Sequence, residues 1–275
     1  MWHYPESMPL ELAAVEAKIL RAEEHFKILH MDILEKIEAC TYSVDHVRND
    51  NFTDLSLRLK ANGFRFPLLW WTLVIGDFIN NLRSSLDHLI HSIAVYESGK
   101  ETPPKENKLA FPIEDNWDKF KDRGIHALGD LSAKAWTAIE SVQPYHRPSL
   151  GIPPPLRILR ELSNADKHRT IDLADATPTV WNFTFTEPVN PAIRRVYRSS
   201  HGNLEDGAEI AGVESSEPEL ELTTLGNLGI GISIRHGALD GRIDPGADRS
   251  EIILLCQILM AEVKGVVLEV KSIYD

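Results

Sequence analysis

The stretch PLLWWTLVIGDFINNLRSSLDHLIHSIAVYESG, residues 67–99, decides the fold. Its apolar residues Ile75, Ile79, Leu82, Leu86, Leu89 and Ile93 recur every three or four positions, which is one face of a helix. Pro67 suits a first turn, where its missing N–H is no loss, and Gly99 with Pro103 and Pro104 beyond it marks the end. So apolar a helix needs partners, and the fold class turns on whether the rest of the chain supplies them.

Three further segments do. Leu12, Val15, Ile19, Phe26, Leu29, Ile33, Ile37, Cys40, Val44 and Val47 make one stripe and predict a long helix from about Leu10 to Val47. Glu16, Lys18, Glu23, Glu24, Lys27, Glu35 and Lys36 form its solvated side. A further helix is predicted from Pro155 to Asp172, and another over Arg249 to Tyr274 with Ile253, Ile258, Val263 and Val267 facing inward. Between Lys100 and Pro155 the pattern predicts a proline-rich loop, an extended Leu109 to Ile113, and a short helix from Ser132 to Val142.

From Thr179 the period changes to two, in Val180 to Phe185 and in Leu220 to Thr223, with Ile193 to Arg198 and Ile230 to Ile234 as further strands. Three to five antiparallel strands are expected between Thr179 and Arg235, with turns at Gly202 to Gly207 and Gly237 to Gly246. The expected architecture is therefore mainly α. About four long helices form a bundle from residues 10–172 and 248–274, and a small antiparallel β-rich insertion at 179–236 precedes the C-terminal helix. The whole, 1–275, is expected to be a single domain.

With 275 residues, 43% hydrophobic and 25% charged, the composition is that of a globular chain. A net charge of −12 opposes non-specific DNA binding. Cys40 and Cys256 stand far apart, which argues against a disulfide framework or a thiolate zinc site. Met1 to Pro9 carries no secretory signal pattern, so the cytoplasm is the expected location. The apolar run Leu68 to Ile75 is cut by Gly76 and Asp77 well before the ~20 residues of a membrane span.

His25 and His30 are five apart, a poor spacing for one metal, and His126, His146, His201 and His236 read as loop residues without a ligand cluster. Phosphate-cradling glycine loops, nucleophile elbows and dinucleotide fingerprints are absent from the sequence. Neither a metal nor a cofactor is expected. Arg194, Arg195 and Arg198 with Tyr197 form a small basic group on a predicted strand, read as a solvated face.

Chemistry concentrates in two places. On the helix of residues 67–99, Asn80, Arg83 or Ser84, Asp87 and His91 share one polar stripe. On the helix from Pro155, the row through Leu156, Leu159 and Ser163 brings Asp166 toward the leucine side, followed by His168 and Arg169. An ionised carboxylate there costs several kcal/mol unless paired, and Arg83 is the natural partner. The expected site has Arg83, Asp87 and His88 or His91 facing Asp166, His168 and Arg169. Guanidinium groups grip phosphate and histidines exchange protons, which suffices for metal-free phosphodiester cleavage. The same residues also fit a buried salt-bridge network that fixes helix register in a non-catalytic scaffold or binding protein, and the residues leave both readings open.

The strings Asn81 to His88, Phe111-Pro112-Ile113, Ser141 to Tyr145, and Leu159 to Leu162 followed by Asp166 to Arg169 resemble a widespread family of uncharacterised bacterial proteins. That resemblance implies a bacterial, cytoplasmic protein. Arg83 and His88, with four residues between and Asn80 or Asn81 upstream, also resemble the HEPN helical domains. This second resemblance implies a metal-independent ribonuclease of toxin or defence type, with RNA as substrate and a homodimer sharing the site. His88 would then be general acid or base, Arg83 would stabilise phosphate charge, and Asp87 with His168 would orient them.

Overall fold

A computed structural model describes residues 10–39, 41–48, 55–62, 66–147, 153–168, 171, 173–180, 193–198, 209–215, 229–235 and 249–274. The described chain is mainly helical, with α1 Ala13–Glu38, α2 Leu68–Ser98, α3 Trp117–Ala127, α4 Ala133–Ser141, α5 Pro155–His168 and α6 Ile252–Tyr274. Its strands are β1 Thr41–Arg48, β2 Leu55–Asn62, β3 Leu173–Val180, β4 Ile193–Arg198, β5 Glu209–Ser215, β6 Gly229–Arg235 and β7 Arg249–Glu251. Two compact units emerge, one of residues 1–29, 69–172 and 235–275, the other of 30–68 and 173–234.

In the first unit α2 buries the face its periodicity predicts: Ile75, Ile79, Leu82, Leu86, Leu89 and Ile93 are each at most 1% exposed. Phe78 of α2 stands against Phe26 of α1, ring centroids 6.5 Å apart, and Tyr96 meets Tyr274 of α6 edge-on at 5.4 Å. Helix α6 packs on α4 and α5, and its Lys264 pairs with Glu23 of α1. Helix α3 starts where the Asn116 side chain accepts from the Lys119 N–H, and α4 where the Ser132 hydroxyl accepts from the Ala135 N–H. These two are held close because Gly124 leaves room for the Trp136 indole.

The second unit has an antiparallel sheet in the order β1-β2-β5-β4, and β3 pairs antiparallel with β6. The register of β1 on β2 sets Val44 opposite Leu59 and Asp45 opposite Arg58.

Several expectations are corrected. Helix α1 ends at Glu38, and residues 41–48 are strand. Val44 and Val47 suit a period of 3.6, but β-branched Thr41, Val44 and Val47 favour extended backbone, and Leu55, Leu57, Leu59 and Ala61 supply an alternating partner. The expectation of one β insertion at 179–236 is therefore not supported, since the pairing draws on residues between α1 and α2 as well. Residues 181–185, 220–223 and the expected turns at 202–207 and 237–246 lie outside the described residues, as do His201 and His236.

Helix α5 is described as far as His168; Arg169, Thr170 and Asp172, part of the expected helix, lie outside the described residues, and Ile171 is not helical. On α6 the buried face is Ile252, Leu255, Cys256, Leu259, Val263, Val266, Val267 and Val270, leaving Ile253 and Ile258 partly exposed. The sequence reading of loop residues is also corrected at His126, which sits in the last turn of α3, and at His146, which closes a short 3-10 turn, Pro144–His146. Among the described residues no helix is long and apolar enough to cross a membrane, and no group of three metal-ligating side chains occurs.

Candidate functional site

The site grows from one irregular segment, residues 109–115, that runs through the interior of the first unit. Phe111 is fully buried, Ile113 and Glu114 nearly so. Irregular backbone in such a place must find hydrogen bonds from side chains, because no ladder supplies them. Arg83 of α2 donates from Nη2 to the Phe111 carbonyl at 2.6 Å and to Asp87 Oδ1 at 3.0 Å. Asp87 Oδ1 in turn accepts the Phe111 N–H at 2.8 Å. The helical i, i+4 spacing of Arg83 and Asp87 thus presents a donor and an acceptor together to both backbone groups of one residue.

Two more clamps follow. Gln143, fully buried, donates from Nε2 to the carbonyls of Pro112 at 2.9 Å and Ile139 at 3.0 Å, and its Oε1 accepts the Glu114 N–H at 2.9 Å. Arg160 of α5 donates from Nη1 to the Ile113 carbonyl and from Nη2 to Asp115 Oδ2, both at 2.9 Å. Each string that carries the family resemblance therefore contributes to one staple: α2 through Arg83 and Asp87, the Phe111-Pro112-Ile113 run as the thing held, Gln143 before Pro144, and α5 through Arg160.

The expected pairing of Arg83 with Asp166 is replaced by another. Asp166 Oδ2 accepts from Asn80 Nδ2 at 2.8 Å. Gly76 permits the approach, since a Cβ there would stand 2.5 Å from Asp166 Oδ1. His91 bonds Glu106 at 3.0 Å. His88 lies five residues beyond Arg83, about 140° around the helix, so the two point in different directions. His168 ends α5 with its side chain outside the described residues, and Arg169 lies wholly outside them.

Beside the staple opens a cleft of about 420 Å³. Arg83, Lys108, Arg123, Arg160 and Lys167 line it, with Glu114 as its carboxylate. Arg123 Nε bonds Glu114 at 3.2 Å, and Arg160 lies 4.0 Å from the same carboxylate. Burial pushes the Arg83 guanidinium below its ordinary pKa, Asp87 opposing this and Arg123 adding to it. Arginine keeps its charge regardless, so like charges crowd one wall.

Sequence reading missed Lys108, Arg123, Arg160, Ser163 and Lys167 as one group. Arg160, Ser163 and Lys167 follow helical spacing on α5, a legible signal; Lys108 and Arg123 come from separate elements and share no pattern with them. No family model, curated protein or solved structure matches the chain.

Proposed function

We propose that this chain is a non-catalytic binding protein, a helical scaffold whose stapled 109–115 segment forms one wall of a cationic cleft. The observation that carries this reading is the use of Arg83 Nη2 and Asp87 Oδ1 on the backbone of Phe111. A guanidinium and carboxylate so engaged are bound to the fold on both sides. Within the same reading, α1, α2, α5 and α6 act as a four-helix bundle, supported by the α1–α2, α5–α6 and α6–α1 contacts and by the Asn80–Asp166 bond. Membership of the bacterial family is supported by the convergence of its strings on the staple.

A second reading, the HEPN-like ribonuclease acting on RNA as a homodimer, keeps one supporting observation: Arg83 also lines the cationic cleft, where a phosphate would be attracted. One experiment separates the two. The wild-type chain, Arg83→Ala and His88→Ala are incubated with labelled single-stranded RNA, and their melting temperatures are measured in parallel. The scaffold reading expects no cleavage by any of them and a clear fall in melting temperature for Arg83→Ala alone. Cleavage by the wild type, lost in both variants at unchanged melting temperature, establishes the ribonuclease instead.

A further inference from the structure

We propose that the cleft beside the staple is a binding site for a small phosphomonoester, an inference that rests on the binding-protein reading above. Its cationic lining comes from four separate elements: Arg83 on α2, Lys108 in the 3-10 turn Glu106–Lys108, Arg123 on α3, and Lys167 on α5. The side chains of Lys108 and Lys167 have no ion-pair or hydrogen-bond partner among the described residues. Arg123 spends only Nε on Glu114, leaving its terminal nitrogens for another acceptor.

Nearby carboxylates do not account for the lysines, because Glu114 is taken by Arg123 and Arg160, Asp87 by Arg83, and Asp115 by Arg160.

Chemistry narrows the ligand. Donors arriving from several directions suit the three outer oxygens of a tetrahedral dianion better than a planar carboxylate, which one arginine fork would serve. The volume, about 420 Å³, lies in the range of small-molecule pockets and exceeds what a lone phosphate needs. Ala110, Pro112 and Ala127 add apolar lining that gives an organic body somewhere to rest. A nucleic acid polymer fits less well, because the chain as a whole carries −12 and would repel its flanking phosphates.

The test is calorimetric titration of the full chain with phenyl phosphate, inorganic phosphate, benzoate and a short single-stranded RNA. Saturable binding of phenyl phosphate is expected, stronger than that of inorganic phosphate or benzoate. Arg123→Ala and Lys167→Ala should each weaken it about tenfold at unchanged melting temperature. Absence of saturable binding, undiminished binding by the two variants, or tighter binding of the RNA would each overturn the proposal. None of those outcomes touches the scaffold reading, which fails instead through RNA cleavage and an unaltered Arg83→Ala melting temperature.

Discussion

At residue 87 a single carboxylate oxygen accepts from the Arg83 guanidinium and from the Phe111 N–H. Removing it strands a buried amide and leaves a half-buried cation with one fewer partner. Asp87→Ala should therefore lower unfolding stability by about 2–3 kcal/mol, measured by urea denaturation, whereas a change within a few tenths would show the clamp to be idle. Glu161 makes a different prediction. Burial raises its pKa above the ordinary 4.5, with Arg157 and Arg160 pulling the other way. The folded chain then holds a proton there at pH values where the unfolded chain has released it. Stability contributed by that proton is full below 4.5 and is lost as pH rises through the raised value. Glu161→Gln should flatten the decline across that window, and parallel wild-type and variant curves would refute it. The Arg83–Asp87 spacing was legible in the sequence, but its target was not, because a backbone amide 24 residues away leaves no mark in side-chain pattern.

Among the helices, glycine separates packing from propensity. Gly124 of α3 faces the Trp136 indole, where a Cβ would come within 2.7 Å, while Gly265 on exposed α6 surface meets nothing within 4 Å. Alanine gains helix propensity at either place, roughly 1 kcal/mol. Gly265→Ala should thus stabilise by about that amount, and Gly124→Ala should destabilise by about 1–3 kcal/mol as the indole is displaced. Thermal unfolding of both variants checks this, and stabilisation at both positions would mean that α3 and α4 are not in close contact. The amphipathic core of α2 could be read from its spacing because six buried aliphatic residues keep one period throughout. Strand β1 could not, since Val44 and Val47 satisfy a helical spacing too, and only the alternation of Leu55, Leu57 and Leu59 identifies its partner. The short helix α3 escaped notice for another reason: of its buried residues Phe120, Gly124 and Ala127 only one is large, which leaves a weak apolar signal.

For the molecule as a whole, an acidic chain concentrates cations in one cleft and builds that cleft's wall from irregular backbone. The wall holds its shape through side chains on α2 and α5 and through Gln143, so it should open only when the first unit unfolds. The expected site residues divide accordingly: Arg83 and Asp87 belong to the staple, Asp166 joins α5 to α2 through Asn80, and His88 stands apart. Amide hydrogen exchange at Phe111 and Glu114 tests this most directly. Both N–H groups are predicted to exchange as slowly as the core amides of α2, such as that of Leu86, because freeing them requires global unfolding. Exchange at the rate of exposed loop amides, while Leu86 stays protected, would contradict the staple and with it the scaffold reading.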